Sequence, residues 1–174
     1  MKKILATLIA ISAPLLSNAS SLELQSFGFN ADNVSGFPLG VSARLTGGGV
    51  YDPDPVTPYA KAGGSFRCLS DITTGPLAGC LTGEGVRWDA VTVIASTPFK
   101  CTGAATEAGK TAVTDEHTLV LVADFYKQGN GNEEFTTAKM IVSDSDLAPE
   151  AGLPGTQNVW IEKVGCDIAI TNFN

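Results

Sequence analysis

Three side chains of this sequence are candidates for acid–base chemistry: Asp124, Glu84 and Lys139. Glu84 belongs to residues 82–89, whose alternating pattern predicts that it shares a strand face with Trp88. A carboxyl group buried beside an indole ring can serve as a general acid or base, because burial disfavours its charged form. Glycines on both sides of Glu84 favour a different interpretation, in which this face is the solvated start of a strand.

Asp124 and Lys139 belong to two strand-like segments, residues 117–127 and 134–142. The intervening residues 128–133 contain Asn-Gly and Gly-Asn steps that tolerate positive φ, so the two segments are predicted to form a β-hairpin. A one-residue change of register would move every side chain to the other face of the sheet. An uncharged and mostly apolar face, which we expect to be core, results when Phe125, Ala123, Leu121 and Leu119 lie opposite Thr136, Ala138, Met140 and Val142.

The other face of this hairpin is too apolar for a freely solvated surface and too polar for an ordinary core. It carries Val120, Val122, Asp124 and Tyr126 opposite Ile141, Lys139, Thr137 and Phe135. Asp124 is then diagonal to Lys139, near enough for an ion pair. One interpretation is a half-covered sheet face with a surface ion pair. The other is the lining of a cavity in which a ligand contacts Asp124, Tyr126, Lys139 and Trp88.

Other residues of interest each have a structural and a functional interpretation. Trp88 and Trp160 are either platforms for a sugar or anchors of the core. His117, the single histidine, is either a catalytic base or an exposed residue at a strand edge. Residues 130–133 and 144–146 offer oxygen ligands to Ca²⁺, but there is no EF-hand loop. Motifs of serine hydrolases, zinc proteases and phosphate-binding loops are absent, so we predict no metal site and no cofactor.

The four cysteines are predicted to form two disulfides and to leave no free thiol; they are Cys68, Cys80, Cys101 and Cys166. Without a Cys-x-x-Cys spacing, a zinc site is not expected. The pattern Phe-basic-Cys occurs at residues 66–68 and again at residues 99–101. If these strands are neighbours, Cys68 pairs with Cys101. The short-range alternative pairs Cys68 with Cys80, and Cys101 with Cys166.

Short strand-like runs separated by Gly, Pro, Asn and Asp recur along the chain, with almost no 3.6-residue periodicity. The candidate strands are residues 22–29, 39–46, 60–69, 85–95, 99–102, 118–127, 134–143, 158–164 and 166–172. Residues 103–116 contain the one candidate for a helical turn, and residues 51–58 and 144–156 have the composition of loops. We therefore predict an all-β fold, an antiparallel β-sandwich or closed β-barrel of roughly 8–10 short strands.

The N-terminal residues have the composition of a bacterial signal peptide. Two lysines precede an apolar stretch, and Ser17 and Ala19 provide the small residues of a cleavage site after Ala19. We expect a signal peptide at residues 1–19 and a single secreted or periplasmic domain at residues 20–174. The formal net charge of −7 opposes binding to nucleic acid and to anionic membrane surfaces.

The function class that these patterns favour is an exported, non-catalytic binding or interaction domain, whose partner is a small molecule or a protein. The alternative is a small β-barrel enzyme in which Asp124, Glu84 and Lys139 converge in an internal pocket. A packed interior would favour a binding surface outside the barrel, whereas a pocket lined by these three side chains would favour a ligand site inside it.

Overall fold

Ten β-strands form the regular structure of residues 24–36, 39–54, 58–127, 134–149 and 155–174, which are the residues that the computed structural model describes. In chain order, the strands are β1 (Gln25–Gly36), β2 (Ser42–Asp52), β3 (Tyr59–Cys68), β4 (Arg87–Val93), β5 (Ser96–Phe99), β6 (Lys110–Val113), β7 (Thr118–Lys127), β8 (Glu134–Ser143), β9 (Gln157–Ile161) and β10 (Gly165–Phe173). Eight strands close into an antiparallel barrel in the order β1-β10-β9-β8-β7-β4-β3-β2, and β5 and β6 form a separate two-stranded sheet. The all-β prediction is confirmed, and of its two architectures the structure has the closed barrel.

The pairing of β7 with β8 has the register expected from the sequence. Phe125 lies opposite Thr136, and the same register continues to Leu119 opposite Val142. The side chains of this face point into the barrel, where Leu121 is fully buried. The predicted turn at residues 128–133 lies outside the described residues. The charge-free face was informative because a slip of one residue would turn charged side chains such as Asp124 towards the interior.

The interior of the barrel is packed with apolar side chains. Trp88, Tyr51 and Phe125 are almost completely buried there. The indole of Trp88 fits because Gly47 on β2 has no side chain; a Cβ atom at that position would lie 2.5 Å from the ring. The indole Nε1 donates a hydrogen bond to the carbonyl oxygen of Thr46 at 2.9 Å, so the polar group of this side chain is satisfied. Large and small residues thus complement each other across the interior.

Strand β2 does not end at residue 46, where the sequence predicts the end of a strand before three consecutive glycines. Instead, Gly47, Gly48 and Gly49 continue the ladder with β3, opposite Gly64, Gly63 and Ala62. Small residues on both strands let the backbones approach closely at this point, where a Cβ on Gly49 would lie 2.3 Å from a carbonyl oxygen of β3. Tyr51 and Asp52 therefore belong to β2 and not to the predicted loop. In the loops predicted at residues 51–58 and 144–156, residues 55–57 and 150–154 lie outside the described residues.

A short hairpin, β5–β6, packs against the outside of the barrel. Phe99 on β5 and Ala112 on β6 form a second apolar cluster with Val120, Ile141 and Trp160 on the outer face of β7, β8 and β9. This layer explains why the outer face of the β7–β8 hairpin is so apolar: one half of it is covered. Within the stretch that held the candidate for a helical turn, residues 104–107 form a single turn, in which the N–H of Glu107 donates to the carbonyl oxygen of Ala104. Residues 110–113 form β6, which is stabilised by pairing with β5 and by burial of Ala112.

Two disulfides connect the barrel to the segments outside its wall. Cys68 at the end of β3 is bonded to Cys80, which closes the loop between them. Cys101, just after β5, is bonded to Cys166 on β10 and so ties the outer hairpin to the barrel. No cysteine among the described residues is free. The pairing of Cys68 with Cys101 is wrong, because Cys68 belongs to the inner core and Cys101 to the outer cluster. Two disulfides are consistent with an oxidising compartment.

Replacing Leu121 with Ala should lower the free energy of unfolding by about 2 to 5 kcal/mol, because it leaves a cavity in the packed interior. Leu39 provides a matched control, since its side chain is 92% exposed. Leu39→Ala should change stability by less than about 0.5 kcal/mol. Urea unfolding of the oxidised protein measures both values, and equal losses in the two variants would contradict the assignment of the inner face.

Candidate functional site

The three residues with acid–base potential do not meet inside the barrel. Asp124 and Lys139 both point away from the interior, and Lys139 lies opposite Val122. Asp124 accepts a hydrogen bond from Thr137 Oγ1 at 2.7 Å, and the expected ion pair with Lys139 is not formed. Glu84 precedes β4, in a turn where its carboxylate accepts a hydrogen bond from the backbone N–H of Leu81 at 2.9 Å. An internal pocket that contains all three side chains is therefore absent from the described part of the chain.

The predicted shared face of Glu84 and Trp88 was wrong. Gly85 has a φ of 108°, and strand β4 begins only at Arg87, so the alternation assumed for residues 82–89 is interrupted. Trp88 is fully buried in the barrel, where it serves as an anchor of the core and offers no surface to a ligand outside.

Charges on the outer face of β4 and β7 are held by neighbours on the same wall. Asp89 and Asp124 lie directly opposite each other, an arrangement that like charges disfavour. Asp89 forms an ion pair with Arg87, with 3.0 Å between Oδ2 and Nε. The guanidinium of Arg87 also lies 3.9 Å from the ring centre of Tyr126, a cation–π contact. This wall is an exposed polar network.

His117 is an exposed residue at the start of β7, as one of its two interpretations predicted. Its Nδ1 lies 2.8 Å from Oδ2 of Asp144. The hydroxyl of Ser145 donates to the same carboxylate, and that of Ser143 contacts Thr118 and the His117 carbonyl. Neither serine is hydrogen-bonded to the imidazole ring, so the arrangement of a serine hydrolase is not assembled.

A groove on the outside of the barrel lies between the β5–β6 hairpin and the end of β9. It has a volume of about 270 Å³ and is lined by Pro98, Phe99, Lys100, Gly109, Trp160, Glu162 and Lys163. We call it the Trp160 groove. Its walls come from the end of β5, from the loop that leads to β6, and from the turn between β9 and β10. The groove therefore exists only where the outer hairpin crosses the barrel wall.

The floor of the Trp160 groove is a fixed aromatic pair. The rings of Trp160 and Phe99 meet edge to face, with 5.9 Å between their centres. The indole Nε1 of Trp160 donates a hydrogen bond to the carbonyl oxygen of Lys100 at 2.9 Å. This bond orients the indole and joins β9 to the end of β5. A flat apolar group that entered the groove would meet a surface that is already formed.

The loop that leads from β5 to β6 is held by the carboxylate of Glu107. It accepts hydrogen bonds from the backbone N–H groups of Cys101, Thr102 and Gly103, at 2.7 to 2.9 Å, and from the Thr102 hydroxyl. Burial alone would raise the pKa of this carboxyl group, but the hydrogen bonds outweigh burial, and the pKa lies below its ordinary value. Glu107 in its charged form thus fixes the backbone beside the groove.

Basic residues are concentrated around the Trp160 groove. Lys100 and Lys163 line it, together with the acidic Glu162. Lys139 is adjacent to Glu162 on the neighbouring strand: its backbone N–H donates to Glu162 Oε2 at 3.2 Å. Lys110 lies over the Phe99 ring, with 5.8 Å from Nζ to the ring centre. Four of the eleven lysines and arginines of this acidic chain are therefore at or next to one groove.

Sequence reasoning named Trp160 but did not find the groove around it. A signal was present in β9, where Val159, Trp160 and Ile161 are consecutive apolar residues although only alternate ones can face the barrel interior. A short run that is apolar on both faces indicates that a second layer covers the outside. The sequence does not say which segment provides that layer, because β5 and β6 are brought to β9 by tertiary contacts.

Comparison of the chain with protein-family models, with curated proteins and with solved structures found no significant match. Within the described residues, no helix has the length and apolarity that crossing a membrane requires. The same residues contain no group of three or more His, Cys, Asp or Glu side chains arranged to hold a metal ion.

The role of Glu107 predicts a specific dependence of stability on pH. Because its pKa is lowered in the folded state, it contributes stability above the pKa of the unfolded chain, about 4.5, and this contribution is lost as the pH falls through the folded pKa. Glu107→Gln should therefore lose less stability than the parent protein between about pH 5 and pH 3, and should be less stable near pH 7. Thermal unfolding across this range measures the effect. Glu116→Gln, in an exposed turn, is the control and should show the same change of stability with pH as the parent protein.

Asp124→Asn should change the free energy of unfolding by less than about 1 kcal/mol. The carboxylate is partly exposed, its partner is a hydroxyl group, and the substitution relieves repulsion from Asp89. Urea unfolding at neutral pH measures this change. A loss above about 3 kcal/mol would show that Asp124 has a buried charged partner and would contradict the polar-network description.

Proposed function

We propose that this protein is an exported, non-catalytic binding domain that takes a small molecule on the outer wall of its barrel, in the Trp160 groove. The observation that carries the proposal is the contrast between a barrel interior filled by side chains such as Trp88 and Leu121 and an open, aromatic-floored groove outside it. Ligand sites are concave and mostly apolar, with a few polar groups that fix orientation. The Trp160 groove meets that description.

Export is supported by two independent features. Residues 1–19 have the composition of a bacterial signal peptide with cleavage after Ala19, although they lie outside the described residues. The two disulfides are of the kind that persists in a secreted or periplasmic protein. The net charge of −7 is unfavourable for nucleic acid or an anionic membrane as the partner.

A binding role is favoured over catalysis by where the acid–base candidates lie. An enzyme with an internal pocket would need Asp124, Lys139 and Glu84 to converge, whereas the first two point outward and the third is held in a turn by Leu81. A small molecule is favoured over a protein surface because the groove is small. At about 270 Å³, it accommodates one or two rings.

Two tryptophans make this proposal directly measurable by nuclear magnetic resonance. The chain contains only Trp88 and Trp160, so the indole N–H groups give two signals. Titration of the ¹⁵N-labelled, oxidised protein with neutral 2-naphthalenemethanol should shift the Trp160 signal in a saturable way, with a Kd on the order of millimolar or tighter. The Trp88 signal, from inside the barrel, should not move. A stationary Trp160 signal would contradict the proposed site.

A groove-filling variant tests the position of the site. Gly109 lines the groove, and a Cβ atom added to it would meet no other atom within 4 Å, so this position accepts a side chain, and the ring of Gly109→Phe is expected to occupy the groove. This variant should abolish the titration shift while it keeps its fold. Lys61→Phe is the control, because Lys61 is exposed on β3, on the opposite wall of the barrel. Undiminished binding to Gly109→Phe would place the site elsewhere.

A further inference from the structure

We infer that the molecule taken by the Trp160 groove is an organic anion, a carboxylate on a flat apolar body, whose charge is held by Lys100 and Lys163. This inference rests on the proposed function and specifies its class of ligand. The chain has 18 acidic and 11 basic residues, so its overall field repels anions. A local excess of lysine around one groove opposes that field and provides a place where an anion is attracted.

The local charge of the groove depends on the described charged groups that line it or lie next to it. Lys100, Lys163 and Glu162 line it, and Lys139 is adjacent to Glu162 on the next strand. Lys110 and Glu107 lie behind the floor as a pair, with 3.8 Å between Nζ and Oε1, and largely cancel each other. Among the described residues, Lys100, Lys139 and Lys163 at and next to the groove outnumber the carboxylate of Glu162.

The backbone positions of the two lining lysines are fixed on opposite sides of the groove. Lys100 is held beside the indole, because its carbonyl oxygen accepts the hydrogen bond from Trp160. Its ammonium group lies 3.5 Å from the carbonyl oxygen of Ala104, at the limit of a hydrogen bond. An ammonium group has three N–H donors, so this weak contact leaves donors for a carboxylate.

Lys163 is in the turn between β9 and β10 with a φ of 61°, the one non-glycine residue of the described chain in the left-handed region. Glycine or asparagine adopts this conformation with less strain, so a lysine here is an argument for a role of its side chain. A Cβ atom on Gly75 would lie 2.4 Å from the Cβ of Lys163, so the turn is packed closely against the loop that contains Gly75. The strained turn that contains Lys163 is thus supported by the loop that contains Gly75.

The aromatic floor of the groove and the two lysines at its rim, Lys100 and Lys163, together define the class of ligand. Phe99, Pro98 and the edge of Trp160 give an apolar surface, and the volume of about 270 Å³ allows one or two rings. Each lysine at the rim provides a compact positive charge with three N–H donors, which can bind the charged group of an anion such as a carboxylate. An aromatic carboxylate of this size satisfies both the floor and the rim.

The experiment compares two probes of the same shape: 2-naphthoate and its neutral analogue 2-naphthalenemethanol. Both are titrated against the full oxidised protein, with the Trp160 indole signal as the readout and affinity measured at about 20 mM and 300 mM salt. The naphthoate should bind about tenfold more tightly at low salt, and most of this advantage should be lost at high salt. Equal affinity of the two probes would overturn the anion inference and leave the proposed function standing.

Failure of the proposed function has a different result: neither probe shifts the Trp160 signal. A third arm uses the blocked peptide Ac-Glu-Phe-Asp-NH₂. If it shifts the Trp160 signal while naphthoate does not, the occupant is an acidic peptide of a partner protein, and the small-molecule inference is overturned. Each arm therefore supports or contradicts one identified claim.

Three variants and one control, Lys61→Met, test which residues recognise the charge. Lys100→Met and Lys163→Asn, the latter chosen because asparagine tolerates positive φ, should each weaken naphthoate binding about three- to tenfold and change binding of the neutral alcohol less than about twofold. Lys61→Met, on the opposite wall, should leave both affinities unchanged. Glu162→Gln should strengthen naphthoate binding. Retained naphthoate affinity in both lysine variants would overturn the assignment.

Discussion

The fit of Trp88 inside the closed barrel is the constraint on which the other features of this protein depend. The indole can be enclosed only because β2 has glycine at position 47. The indole Nε1 also needs an acceptor inside the barrel, and the carbonyl oxygen of Thr46 provides it. Once the interior is filled in this way, the barrel has no space for a ligand around this indole.

The outer hairpin β5–β6 turns part of the barrel wall into a two-layer structure. Val120, Ile141 and Trp160 would expose a continuous apolar patch if this hairpin were absent. The Cys101–Cys166 disulfide and the hydrogen bond from Trp160 to Lys100 hold the hairpin on that patch. The Trp160 groove is the space left where the second layer ends, so its shape depends on the same contacts that stabilise the hairpin.

Two regions of the outer barrel surface, the β4–β7 wall and the surroundings of the Trp160 groove, differ in their charge. On β4 and β7, Asp89 and Asp124 face each other and are stabilised by Arg87 and Thr137 on the surface. Around the groove, lysines predominate among the described residues, and the carboxylate of Glu107 accepts hydrogen bonds from backbone N–H groups of the adjoining loop. Since exposed pairs contribute little to stability, the uneven placement of charge has more bearing on recognition than on folding.

The sequence by itself determined what depends on neighbours in the chain. The alternation of Leu119, Leu121, Ala123 and Phe125 was enough to give the β7–β8 register, because a slip of one residue would put charge into the core. The same local reasoning was wrong for Gly47–Gly49, which continue a strand, since the benefit of glycine there comes from a ring on another strand.

Only the tertiary structure decided which distant segments meet. It decided between two cysteine pairings that the spacing left open, it placed residues 110–113 in β6, and it put the β5–β6 hairpin over Trp160. These outcomes depend on which segment covers which face of the barrel wall. The burial of apolar surface favours this covering, and its free energy depends neither on direction nor on how far apart the segments lie in the sequence. The Trp160 groove is therefore a property of the assembled layers, although each residue that lines it is present in the sequence.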